Sequence, residues 1–248
     1  VRLSGRIPDG AVELTFGASR SFRAVHLTVL DQAGLGGTRE LLEPGADSAP
    51  FRLGQPVAPP SRGQVVADYL VLGFEHILPL GLDHILFVLG LYLLSTRMRP
   101  LLWQITAFTV AHSVTLALSM YGLAALPSRL VESLIALSIA YVAIENVVTT
   151  ELKPWRPLLV FGFGLLHGLG FADALRELGL PREEFATALV AFNVGVELGQ
   201  LAVVALAFVA LGWARKKPWY RARVVIPLSA AIALTGLYWA VTRALGLG

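Results

Sequence analysis

The chain has 248 residues, 55% hydrophobic and only 15% charged, with no cysteine. From about residue 65 onward, apolar runs of membrane-spanning length follow one another closely, which marks an integral membrane protein rather than a soluble domain. The missing thiols exclude disulfides, thiolate zinc sites and iron–sulfur clusters, and two methionines weigh against a thioether site for monovalent copper. A pI near 9.4 does not imply nucleic acid, because the basic residues concentrate in short loops between spans, where orientation signals belong.

Residues 1–43 read as a small extracytoplasmic β segment. Ala11 to Phe16 lies between glycines, and in Arg23 to Leu30 the residues Val25, Leu27 and Val29 alternate with Ala24, His26 and Thr28. The alternation predicts an antiparallel sheet with one buried face, too short for a full sandwich and so in need of support from the membrane domain or a partner. His26 is expected at a surface or edge of that sheet. Pro44, Pro50, Pro56, Pro59 and Pro60 predict a stiff, extended linker over residues 44–64. The chain begins at Val1 with a polar stretch, which a removed signal peptide would explain.

Residues 65–248 read as a transmembrane domain of about six helices, making the fold an all-α polytopic membrane protein. The spans fall at 66–96, 101–120, 129–149, 157–173, 185–212 and 222–245. The first is interrupted, since Pro79 and Gly81 break a run that is otherwise too long. A short interfacial helix to Leu78 and a span from Leu82 are expected there. With the amino terminus outside, the inner loops carry nine basic residues, including Lys153 and Arg156, and the outer segments five, including Arg129 and Arg243. That bias predicts a multi-pass membrane protein with both termini outside. The loop from Asp173 to Glu184 is acidic and suited to concentrating cations.

On this topology the ionisable residues share one leaflet. His76, Asp83 and His84 lie at the outer end of the first span, and His112 lies past the middle of the second. Glu132 opens the third, His167 is in the outer half of the fourth, and Asn193 and Glu197 are in the first half of the fifth. Intramembrane ionisable residues are costly and mark function by default. Imidazoles beside a carboxylate suggest a divalent metal; nickel, cobalt, zinc and divalent copper all suit such donors, and affinity order alone does not choose among them. Glu132, Asn193 and Gln200 are candidates for supporting the ligands from behind, although Glu132 also suits a helix start and the two amides suit interhelical hydrogen bonds. Glu75 is expected in the headgroup region. Glu145 and Asn146, near the inner end of the third span, fit an exit path or helix packing. Gly164 and Gly168, with Gly195 and Gly199, permit close helix approach and predict His167 near Glu197.

Five stretches carry a family resemblance: GFEHILPLGLDHILF, TAFTVAHSVTLAL, VESLIALSIAYVAIEN, FGFGLLHGLGFA and FNVGVELGQ, in order from about Gly73 to Gln200. The chain resembles the HupE/UreJ family, membrane proteins associated with hydrogenase and urease accessory functions and implicated in nickel or cobalt uptake. It is most similar to the branch with an extracytoplasmic amino-terminal segment. The resemblance implies that His76, Asp83, His84, His112, His167 and Glu197 occupy the polar motif positions. The better-known HupE pattern has proline directly after the first histidine and a shorter gap to the Asp-His pair. Here Ile77 follows His76, and the gap is one residue longer. The spacing is also loosely similar to the His-x4-Asp-His signature of nickel and cobalt permeases.

The leading expectation is a protein that binds and transports a divalent transition metal and is not an enzyme. Its partners are then lipid, the ion and a further membrane-complex subunit. The alternatives are a non-transporting accessory subunit of a membrane redox complex and an intramembrane metal-dependent enzyme. The sequence carries no ATP-binding motif, so transport would use a channel, a gradient-driven carrier or a larger assembly.

Overall fold

Pro79 and Gly81 interrupt the first apolar run, and the backbone breaks there. The computed structural model of the chain describes residues 6, 8–21, 25–30, 37–53, 61–95, 97–151, 153–177 and 184–247. Helix α1 (Arg62–Ile77) and helix α2 (Leu82–Leu94) meet at a bend of 69° across residues 78–81. Thirteen residues of α2 rise only about 20 Å, less than the roughly 30 Å of a hydrocarbon core. The two helices are long and apolar enough to cross a membrane only when taken together. Nor is α1 a peripheral, interfacial helix, because Tyr69 and Ile77 are buried in the protein and Gly73 packs against the backbone of a later helix.

The remaining helices are α3 (Met98–Met120), α4 (Ser128–Val148), α5 (Arg156–Glu177), α6 (Phe185–Leu211) and α7 (Ile226–Leu245), the last entered through a π-helical turn at Arg221–Val225. Helices α3, α4, α6 and α7 each suffice for a crossing, whereas the apolar part of α5, Arg156–Phe171, is shorter. The architecture is an all-α polytopic membrane fold.

Small residues set which helices touch. A Cβ at Gly73 would overlap the carbonyl of Phe192, and one at Gly195 would overlap that of Leu70, so α1 and α6 approach backbone to backbone. Gly164 and Gly168 bring α5 equally close to the carbonyls of Phe108 and His112 on α3. The two glycine pairs therefore do not pack α5 on α6, as their spacing suggested. Each serves a different neighbour.

The chain divides into two units, residues 1–65 with 174–185, and residues 66–173 with 186–248. In the first, strand β1 (Glu13–Leu14) pairs antiparallel with β4 (Phe51–Arg52), and β2 (Val25–Leu30) pairs antiparallel with β3 (Gly37–Leu42). The single expected sheet is thus two separate ladders. Pro44 and Gly45 are the middle of a turn closed by the Ala46 N–H on the Glu43 carbonyl at 2.9 Å, with Gly45 at φ 82°. That turn sends residues 46–53 back along residues 12–18, where Ser48 Oγ accepts from the Phe16 N–H at 2.9 Å. This half of the expected linker is paired chain rather than an extended spacer. The start of the second expected strand, Pro56, Pro59 and Pro60, and residues 178–183 of the acidic loop lie outside the described residues.

Candidate metal centre

The break between α1 and α2 creates the site. In a continuous helix, residues eight apart stand about 12 Å apart along the axis. The bend instead brings the His76 and His84 rings to 4.7 Å between centroids. Helix α3 contributes His112, and one ligand atom from each of these three imidazoles lies within 4.8 Å of the others. Helix α5, held against α3 by Gly164 and Gly168, contributes His167, whose ring is 4.9 Å from that of His84. His84, His112 and His167 are buried, and His76 is half-buried.

Hydrogen bonds orient two of the rings. Asn193 donates through Nδ2 to the Leu189 carbonyl at 2.8 Å, which leaves its Oδ1 facing His112 Nδ1 at 3.3 Å. His167 Nδ1 lies 2.8 Å from the Phe163 carbonyl. Both partners are oxygens that accept, so each ring carries its proton on Nδ1 and presents the Nε2 lone pair. The Nε2 atoms of His76, His84, His112 and His167 are all buried without a hydrogen-bond partner among the described residues. Leaving one buried polar atom unsatisfied costs about 1 to 3 kcal/mol. Three of these imidazoles can bring a donor atom within 4.8 Å of one another, and His167 lies against His84, a nitrogen donor set of the kind a borderline divalent ion takes.

Phenyl rings wall the cluster. Phe171 lies 3.8 Å from His76, Phe108 is 4.9 Å from His167, and Phe192 stacks on His112 at 6.4 Å. This wall keeps bulk water away and lowers the local dielectric. It was readable in the sequence as a phenylalanine one helical turn from a histidine: Phe87 after His84, Phe108 before His112, and Phe163 and Phe171 on either side of His167.

The carboxylates expected as ligands are engaged by other partners. Both oxygens of Asp83 accept from Arg243, at 2.8 and 3.0 Å, a partner that sequence spacing did not suggest. Glu197 accepts from Thr106 Oγ1 at 2.7 Å rather than meeting His167. Gln200 accepts from Thr109 at 3.0 Å, a link between α3 and α6, and Glu132 accepts from Ser128 at 2.7 Å in the first turns of α4. Of the three supporting candidates, Asn193 is the one hydrogen-bonded to an imidazole. Glu75 is half-buried and outside the histidine group.

A second polar cluster lies near the ends of α2 and α4, toward the loop that leads into α5. Arg156 is fully buried with its Nε 3.4 Å from Glu145. Asn146 donates to the Gly90 carbonyl at 2.8 Å and to Ser229 at 3.2 Å, tying α4 to α2 and α7. Arg221 donates to the Val147 carbonyl at 3.0 Å, and Arg215 donates to the Ser95 carbonyl that ends α2.

The family model described as HupE / UreJ protein matches residues 55–243, most of the chain and all four clustered histidines, and the chain belongs to that family. No curated protein and no solved structure matches it.

Proposed function

We propose that this HupE / UreJ protein binds a divalent transition metal in the four-histidine cluster and passes it across the membrane. Nickel is the first choice of ion, cobalt the second and zinc the third. The family is associated with nickel and cobalt handling, in accessory or transport roles. The observation that carries the reading is the meeting of His76, His84 and His112, whose donor atoms come within 4.8 Å of one another, with His167 against His84 and each Nε2 unpartnered among the described residues. Imidazole donors suit these ions and disfavour magnesium and calcium, which take oxygen.

Each neighbour then has a task. Asn193 and the Phe163 carbonyl hold His112 and His167 in the tautomer that can donate from Nε2. The phenyl wall excludes water from the ligand atoms. The Thr106, Thr109, Glu197 and Gln200 side chains line the adjoining α3–α6 seam, a polar route away from the cluster. The chain is placed in the bacterial inner membrane with both termini outside. Setting aside Arg156 and Arg243, whose charges are paired within the bundle, the loop bias is eight basic residues against four. The cluster then faces the outer leaflet.

Elemental analysis of the full chain, purified in mild detergent after nickel loading, tests the site. Wild type is expected to hold about one ion per chain, and a His84→Ala, His112→Ala variant none. Equal metal in both proteins, or no metal in wild type, would overturn the reading. Nickel accumulation by cells producing the two proteins then separates passage from mere binding.

A further inference from the structure

The Asp83–Arg243 pair stands beside this site, and its geometry assigns it a part in metal affinity. Asp83 is adjacent in the chain to His84, in the first turn of α2. Arg243 is in the last turn of α7, which ends where Gly246 adopts φ 69° and its N–H bonds back to the Arg243 carbonyl at 3.2 Å. The guanidinium is held on three sides. It meets both Asp83 oxygens, lies 5.1 Å over the Trp239 ring, and donates to the Glu132 carbonyl at 3.3 Å. A carboxylate engaged by both oxygens in this way has a strong, planar, geometrically selective partner.

The four imidazoles are uncharged as ligands, so a bound divalent ion keeps its full charge within a phenyl-lined site. Burying uncompensated charge is expensive, and nearby fixed charges therefore decide how tightly the ion is held. With Arg243 in place, the pair beside the cluster is neutral. We propose that Arg243 holds Asp83 outside the coordination sphere and tunes metal affinity through the net charge of the pair. The inference rests on the metal reading above. It identifies Arg243 as a positioning residue and leaves the coordination sphere to imidazole.

The test is a charge series on the full detergent-solubilised chain, titrated with Ni2+ alone by calorimetry: wild type, Arg243→Gln, Asp83→Asn and the double variant. Removing the cation should tighten binding about tenfold or more, and removing the anion should weaken it by a similar factor. The double variant, neutral like wild type, should return to within about threefold of wild type. It decides the matter even if Arg243→Gln fails to fold, because it replaces the ion pair by two neutral groups that can still hydrogen-bond. A double variant as weak as Asp83→Asn would make Asp83 a ligand and overturn the inference while leaving the metal site intact. Unchanged or weaker binding by folded Arg243→Gln would also overturn it. Four silent titrations would remove the metal reading itself.

Discussion

Two polar regions of the same helical domain differ in how their groups are spent. Around Arg156, a buried charge meets an opposite charge at 3.4 Å, though without a hydrogen bond, and Asn146 and the other arginines donate to helix carbonyls or a hydroxyl, so the protein compensates its own charge. Around His84, neighbours fix ring direction but leave the inward nitrogens without partners. Intramembrane polarity is therefore no single signal. A buried charge met by an opposite charge of the same protein holds the bundle together, and a group of neutral donors that is only oriented by its neighbours is set to receive something else.

The contrast breaks most visibly at the buried ion pair. Arg156→Ala leaves Glu145 buried without its counter-ion, and thermal unfolding in detergent should show a loss of about 3 to 5 kcal/mol. Replacing both residues, as Glu145→Leu with Arg156→Met, should recover most of that loss, since two apolar groups leave no unpaired charge. Neither change should alter nickel affinity at the histidine end. Asn193→Ala does the reverse. It frees the His112 ring, so calorimetry should show nickel binding about 10- to 100-fold weaker, with a small change in unfolding temperature. The smallest effect belongs to Glu132→Gln, whose carboxylate is exposed and bonded to Ser128. A stability change of under about 0.5 kcal/mol and unaltered nickel binding are expected, and a larger loss of affinity would bring Glu132 into the site.

Much of the helical layout was legible because apolar run length and the Pro79–Gly81 interruption are local signals, and the break falls within a residue of where they put it. The nearness of the histidines followed from laying loop-limited spans side by side. Three things were not legible, for physical reasons. Asp83 and Arg243 are 160 residues apart, and no periodicity links an α2 carboxylate to the last turn of α7. Glycine stripes announce that helices can approach but not which partner takes the space, so Gly164 and Gly168 met α3, and Gly195 and Gly199 met α1. Arg156 counts as a loop cation by position, yet the start of α5 turns it inward to Glu145. In the amino-terminal part, β3 and β4 were missed because a short strand is defined by its pairing partner more than by its own residues.

The bend between α1 and α2 also governs which changes of chain length the site tolerates. A residue inserted inside either helix would rotate everything beyond it by about 100°, swinging one imidazole off the shared centre. A residue inserted among Leu78, Pro79, Leu80 and Gly81 adds no turn to either helix, but it must re-form the bonds that tie the Leu80 and Gly81 N–H groups to the Glu75 and Ile77 carbonyls. Between His76 and His84, a change of length is therefore expected to disturb the aim of the two imidazoles least within this turn.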